Sequence, residues 1–419
     1  MSPSTERSHR SDRAGAHVKI VCAGGGPGGL YFSILMKLQD PAHEISVHER
    51  NPAGSTYGWG VTYWEELLDR LRAHDEPSAH ALHAASLPWK NGRARIREQV
   101  TEHHGDQGYG IGRHRLLALL TARARDLGVD VRHGSAIDPA APPAADLLVA
   151  ADGVGSTLRR HHAHHFGPRL TEGRNVYVWL GTPKVFTSFS FAFVDTPHGW
   201  IWCYAYGYGP EGSTCVIECA PATWRGLGLD TAKEDVQLRT LEGLFAGLLD
   251  GAPLLGQDAT HPAPDWRPFR TLTTRRWHHD NLVLLGDAAH TTHYSIGAGT
   301  TLALEDAMAL ADALGEGGPR EAAFAAYERR RRRELLSVQS AARHSAHWYE
   351  NLPRYIDLPP EQMFALLGQR HSPLLPYVPP QLYYRVDRAA ERLEALRRLK
   401  RWLGPRLARG LQARDTERR

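Results

Sequence analysis

Apolar and polar positions follow two different grammars along this chain. Residues 18–23, 45–48, 147–150 and 282–285 are short apolar runs bounded by glycine or polar residues, the form of strands buried in a parallel sheet. After 18–23 and after 282–285 comes a glycine-bearing turn and then helical spacing, through Leu30, Phe32, Leu35 and Leu38 in one case and Leu304, Ala307, Ala311 and Leu314 in the other. Residues 64–84 also read as helical, 129–132 as a short strand, and a helix opens near Arg113 with Leu116, Leu117 and Leu120 on one side. From about 174 to 272 the period becomes two. Runs at 176–180, 190–194, 200–206 and 213–219 alternate with turn residues, no helix is expected before about 230, and 94–100 reads as one more strand. This order predicts an α/β unit with an antiparallel sheet inserted into it.

The rest of the pattern is less regular. Residues 54–62 are glycine-rich with Tyr57 and Trp59 embedded, and read as a loop. A long helix over 320–350 carries the run Arg329 to Arg333, which cannot lie on one side and reads as mostly solvated. Prolines then break the chain into turns before a last arginine-rich amphipathic helix over 381–402.

Composition narrows the class. At 419 residues the chain exceeds one ordinary core. Hydrophobic content of 42% and charged content of 23% suit a globular protein, and no apolar run approaches the ~20 residues of a membrane helix. Four cysteines form no C-x-x-C pair, which predicts reduced thiols, a cytoplasmic location and no metal site. A net charge of +4 is too small to imply nucleic acid, so neither nucleic acid nor membrane is an expected partner.

Chemistry enters at the turns. Gly24, Gly26 and Gly29 satisfy G-x-G-x-x-G between a strand and a helix, and Glu49 ends the next strand where a carboxylate can accept hydrogen bonds from a ribose. Together they predict dinucleotide binding. Asp152-Gly153 ends another buried strand and Gly286-Asp287 a third, each aiming a carboxylate at a neighbouring ligand. Spacing alone leaves open whether Arg113 reaches a phosphate or stays at the surface. Trp200, Trp202, Tyr204 and Tyr206 share one face of a strand, either core or the wall of an aromatic cavity.

With these turns in hand, the chain resembles the single-component FAD-dependent aromatic hydroxylases of the p-hydroxybenzoate hydroxylase fold. The G-x-G-x-x-G unit, the D-G segment and the G-D segment stand in that family's order over residues 18–345. The phrases GGGPGGLYFSILMK, YGWGVTY, GIGRHRLL, VYVWLGT, VIEC and GDAAHTTHYSIGAGTTLALEDA are most similar to the salicylyl-CoA and anthraniloyl-CoA hydroxylases, with the violacein-pathway tryptophan-derivative hydroxylases next. Tyr294 and Thr301, where the broad family has proline and asparagine, agree with that subgroup, whereas Tyr204 stands where those relatives often have histidine.

The resemblance implies FAD, with NADPH or NADH as electron donor and O2 as co-substrate. Gly24, Gly26, Pro27, Gly28 and Gly29 would surround the pyrophosphate, with Glu49 and Arg50 at the adenosine ribose, and Arg113 at the middle of the cofactor. Asp152 and Arg159 would serve FAD and the nicotinamide, Asp287 the ribityl chain, and Gly299, Thr300 and Thr301 the flavin ring. It implies hydroxylation of an electron-rich ring, of hydroxy- or amino-benzoyl type, through a hydroperoxide at flavin C4a, with a CoA or carrier-protein thioester favoured over the free acid. An indole or tryptophan derivative is the alternative substrate. A flavin-dependent halogenase is disfavoured because Trp200-Ile201-Trp202 is not followed by the Ile-Pro of its W-x-W-x-I-P signature, and a non-catalytic flavin-binding protein because the glycines and both aspartate motifs are intact.

His293 and Tyr294 are the candidates for substrate contact or proton transfer, an imidazole ordinarily titrating near neutrality, with a loop-capping role for His293 as the other reading. Tyr57, Trp59, Trp202, Tyr204 and Tyr206 are the substrate-side candidates. The expected division is a tail at 1–17, a Rossmann-like FAD-binding domain at 18–85, 105–170 and 275–335, an inserted antiparallel-sheet substrate domain at 86–104 and 171–274, and a C-terminal helical extension at 336–419. The oligomeric state is left open, with a homodimer as one option.

Overall fold

A computed structural model describes residues 17–55, 58–256 and 265–392, together with positions 406, 409 and 410. Residues 1–16 of the expected N-terminal tail, Tyr57 and most of the final arginine-rich segment lie outside the described residues.

Fourteen described strands form two sheets. The first has the order β13 (His278–His279), β14 (Leu282–Leu284), β7 (Leu147–Ala150), β1 (Lys19–Ala23), β2 (Glu44–Glu49) and β6 (Asp130–His133), parallel except for the β13–β14 pair. Its middle strands are buried along their whole length apart from Lys19, which is why they read as continuous apolar runs. Helices Pro27–Gln39 and Gly299–Gly315 pack together against it, and Gln39 Nε2 donates to Ala311 O at 2.8 Å.

The second sheet has the order β12 (Arg267–Thr274), β8 (Pro168–Thr182), β11 (Gly212–Cys219), β10 (Gly199–Gly209), β9 (Phe189–Thr196), β4 (Leu87–Ile96), β5 (Gln99–Gly112) and β3 (Gly60–Tyr63). All its pairs are antiparallel except β4 with β9. One face, with Ile201, Cys203 and Ala205, packs on a small helical layer through Leu241, Phe245 and Leu249. The opposite face, with Trp202 and Tyr204, is covered by the end of the long helix Arg320–Glu350 and by the helix Pro360–Gly368.

Several expectations need correction. The expected loop at 54–62 ends in a strand: Gly60–Tyr63 pairs with Tyr109–Gly112, so the larger sheet takes in residues that the expected division gave to the FAD-binding part. The 94–100 run is a hairpin, turned at Arg97 with φ 54°. The 64–84 stretch is two helices, Glu65–His74 and Glu76–Ala84, because Pro77 can begin a helix but not continue one. A short helix at Pro221–Gly226 precedes residue 230, again opened by proline. The arginine run is less solvated than expected: Arg331 is only 1% exposed, and Arg330 and Arg332 pair with Asp312 and Glu328.

Candidate active site

Strand β1 delivers Gly24 to a turn that only glycines can make. Gly24 has φ +107°, and a Cβ there would stand 2.3 Å from Ala151 O; a Cβ on Gly29 would stand 2.3 Å from Gly24 O. Gly26 caps the helix with Pro27 in its first turn, and a Cβ on it would meet no protein atom within 4 Å. The helix N-terminus therefore faces open space, the arrangement that receives a pyrophosphate. Glu49 closes the turn from the next strand: Oε2 accepts from Gly25 N at 2.9 Å, and Oε1 accepts from the backbone and side chain of Asn51.

Gly24, Gly26, Pro27, Glu49, Arg50, Arg113 and Asp152 all line one cavity of about 1730 Å³. Asp287, Gly299 and Thr300 line it from the other side. Asp152 Oδ2 accepts from Thr157 N at 2.8 Å, while Oδ1 is buried with no partner among the described residues. Asp287 is exposed to the cavity. Desolvation raises its carboxyl pKa against the opposing pull of His290, Arg113 and Arg159.

Behind Asp287 lies a buried brace. Asp306 Oδ2 accepts from Gly286 N at 3.1 Å and lies 2.8 Å from His290 Nε2, while Arg331 Nε donates to Oδ1 at 2.6 Å. His290 also stacks on Trp277. These residues fix the turn and leave its carboxylate facing the cavity.

The far end of the cavity is aromatic. Tyr204 and Tyr206 line it, joined by Tyr177 and Trp179 of β8 and Phe189 and Phe191 of β9. Tyr294 stands among them, stacked with Tyr177 at 5.7 Å and edge-on to Trp179 at 5.3 Å. Period-two alternation along 176–180 and 189–191 was the available signal for the four residues not singled out from sequence. Phe364, Leu367 and Arg370 complete the wall from the C-terminal helices, a contribution with no local signature.

His293 also lines the cavity, with its ring 4.0 Å from Phe269. It caps the short turn Tyr294–Ile296 by accepting from Ser295 N, the loop-capping reading considered for it, while its ring still borders the cavity. Burial pushes its pKa down to about 3. The imidazole is therefore neutral at physiological pH, which corrects the expectation of a group titrating near neutrality.

Other candidates fall outside the cavity lining. Gly28 and Gly29 serve close packing, Gly28 against Leu285 and Ala303. Arg159 is turned inward, donating to Ala288 O at 2.9 Å and to Val154 O, so it braces the two aspartate turns instead of facing a ligand. Thr301 lies behind Thr300, with its Oγ1 buried and without a partner among the described residues. Trp59 covers Gly181, and Trp202 stacks on Tyr349 at 5.6 Å. Trp202 shares the face of Tyr204 but belongs to the core part of it.

A family profile described as an FAD binding domain matches residues 143–338. The chain is 36% identical to a salicyloyl-CoA 5-hydroxylase of a Streptomyces species, over 84% of this chain and 69% of that protein. It is 34% identical to the 3-hydroxy-4-methyl-anthranilyl-[aryl-carrier protein] 5-monooxygenase of Streptosporangium sibiricum, over 84% and 94%. The chain belongs to the FAD-dependent aromatic monooxygenases. The fold agrees: the solved tetrameric form of 2-methyl-3-hydroxypyridine-5-carboxylic acid oxygenase superposes with a TM-score of 0.65 at 21% identity, over 82% of this chain and 94% of that one.

As a member of this monooxygenase family the chain uses FAD, with NAD(P)H and O2 as co-substrates, and its residues fit the cofactor. The open helix N-terminus at Gly26, the unpartnered Asp152 Oδ1 and the carboxylates of Glu49 and Asp287 supply donors and acceptors suited to a dinucleotide. Among the described residues no helix is long and apolar enough to cross a membrane.

Proposed function

We propose that this chain hydroxylates an electron-rich benzoyl group, bearing a hydroxyl or amino substituent and carried as a CoA or carrier-protein thioester. The single observation that carries the reading is one continuous cavity with a polar, glycine-lined end and an aromatic end. Its volume of about 1730 Å³ exceeds the ~300–1,000 Å³ typical of a site for one small ligand, leaving room for FAD and a second, flat molecule. The two relatives named for salicyloyl-CoA and for an anthranilyl group on an aryl-carrier protein support the thioester.

The assignments of individual residues are part of this proposal. Gly24, Gly26 and Pro27 hold the pyrophosphate, Glu49 and Arg50 the adenosine ribose, and Arg113, Asp152 and Asp287 the middle of the cofactor. Gly299 and Thr300 approach the flavin ring. FAD held there would supply hydride acceptance from NAD(P)H and activation of O2, with one oxygen atom going to the ring and the other to water. The residues of this chain orient and desolvate. Tyr204, Tyr206 and Tyr294 sandwich the aromatic group and keep bulk water from the reacting carbon. Arg388, which lines the same cavity, offers positive charge to the phosphates of CoA or a carrier arm.

Turnover of salicyloyl-CoA, anthraniloyl-CoA and the free acids, followed by NADPH oxidation and product mass, tests the reading. The expected result is stimulated oxidation by a thioester and a product heavier by one oxygen atom. Stimulation by the free acids alone overturns the thioester assignment, and the absence of any oxygenated product overturns the whole.

A further inference from the structure

The polar contacts of His293 form a chain with a definite direction. The backbone N–H of Ser295 donates to His293 Nδ1 at 3.3 Å, and Ser295 Oγ lies 2.9 Å from the same nitrogen. An amide N–H can only donate, so Nδ1 carries no proton and the Ser295 hydroxyl must be the donor in the second contact. Its oxygen is then free to accept from the Ser345 hydroxyl, 2.7 Å away. Ser345 Oγ in turn accepts from Arg370 Nε at 3.1 Å.

A guanidinium can only donate, so Arg370 leaves the Ser345 hydroxyl proton available for Ser295, and the far end of the chain is consistent with the direction that the near end sets. Ser295 and Ser345 are buried, with Ser345 fully so. The cation that starts the chain is itself fixed: Arg370 also donates to Leu367 O at 2.9 Å and to Ser295 O at 3.3 Å. Successive hydrogen bonds in one sense polarise one another, and a charged donor at the head strengthens each of them.

A neutral imidazole with a bare Nδ1 holds its proton at Nε2. That nitrogen makes no hydrogen bond to any described residue and is not among the buried atoms left without a partner, while the ring lines the cavity. We propose that Arg370, Ser345 and Ser295 are positioning residues that lock His293 as its Nε2–H tautomer, so that it offers the aromatic ligand a fixed hydrogen-bond donor and no base. The ligand half of this inference rests on the function proposed above; the tautomer half does not. The group recognised is an acceptor oxygen, and a ring hydroxyl and an acyl carbonyl share that chemistry. The C-terminal helical region, through Arg370, thus sets the chemistry of a residue on the flavin-side loop.

The test begins with the FAD-loaded enzyme carrying ¹⁵N-labelled histidine, with the His293 signals assigned by their loss in His293→Gln. Nitrogen shifts reporting an unprotonated Nδ1 and a protonated Nε2 are expected in the unsubstituted protein, and the opposite tautomer overturns the lock. Ser345→Ala and Arg370→Met are expected to yield a mixture of tautomers, and Ser345→Thr to restore the single form. Unchanged His293 signals in both disrupted variants, with flavin content and thermal midpoint retained, overturn the role of the chain.

Binding is then read from flavin absorbance with salicyloyl-CoA, benzoyl-CoA, which lacks the ring hydroxyl, and 2-hydroxybenzyl-CoA, which lacks the carbonyl. Arg370→Met is expected to weaken salicyloyl-CoA by about tenfold, the scale of one lost hydrogen bond, and to spare the analogue that lacks the bonded oxygen. Equal weakening of all three overturns the donor role. If none of the three binds the unsubstituted enzyme while the single tautomer is seen, the substrate reading fails and the lock stands.

Discussion

Arg331 Nε stands 2.6 Å from Asp306 Oδ1, with both side chains almost wholly shielded from solvent, directly behind the turn that carries Asp287. Burial pushes the Asp306 pKa up, but His290 and Arg331 together outweigh it and hold the carboxyl below its ordinary value. Arg331→Met leaves that carboxylate short of a partner in a low-dielectric interior. The expected loss is about 3–5 kcal/mol in denaturant unfolding, accompanied by weaker FAD retention because Gly286 N leans on the same carboxylate.

The same pair makes stability acid-sensitive. The folded pKa of Asp306 is depressed, so its contribution is complete above the unfolded value of about 3.9 and disappears as pH falls through the lower folded value. Unfolding midpoints measured down through pH 4 should fall more steeply for the parent than for Asp306→Asn, which begins less stable.

Glu218 titrates in the opposite sense. It is fully buried on β11, accepts from Asn175 at 2.8 Å, and burial raises its pKa to about 8. Between about pH 4.5 and 8 the folded form keeps a proton that the unfolded chain releases, so this group costs stability as pH rises, with a slope of up to about 1.4 kcal/mol per pH unit. Glu218→Gln retains the acceptor and should flatten that slope in urea titrations at pH 5.5 and 7.5; an unaltered slope would show that Glu218 is ionised in the fold.

Gly26 and Gly29 separate binding from folding. Gly26 has φ −75° and ψ 176°, and a Cβ there would meet no protein atom. Gly26→Ala should therefore leave apoprotein stability within about 0.5 kcal/mol of the parent while weakening FAD binding by at least about tenfold through the lost close approach. Gly29→Ala, which drives a Cβ against Gly24 O, should lower both.

Asp287→Ala removes a carboxylate that faces the cavity without disturbing the brace behind it. FAD affinity should fall roughly tenfold to a hundredfold, the range for a hydrogen bond to a charged group, as read from the ratio of flavin to protein absorbance after gel filtration. Full flavin occupancy would remove Asp287 from the cofactor assignment.

Much of this molecule is legible without coordinates because parallel strands and glycine turns are local devices. The order of residues 18–29, with Glu49 after them, and the glycine-aspartate turns at 152–153 and 286–287 already specify the α/β framework and a dinucleotide site, and they carry the resemblance that implies FAD and the family. What the linear pattern could not specify depends on which face meets which. Trp202 and Tyr204 have the same period and the same face, yet only Tyr204 reaches the cavity, because Tyr349 from the long helix covers Trp202. Arg159 and Arg331 resembled surface or ligand-facing cations until packing buried them. Whether His293 is base or donor was likewise undecidable from sequence, since a histidine's proton is placed by its neighbours, and here Ser345 and Arg370 reach Ser295 from 50 and 75 residues further along the chain. The sequence by itself determined the α/β framework and a dinucleotide site, which rest on backbone geometry within short segments, and carried the resemblance that implies the cofactor and the class of reaction; only the tertiary structure decided the protonation state and the shape of the aromatic end, because burial and hydrogen-bond direction are properties of surfaces brought together from distant parts of the chain.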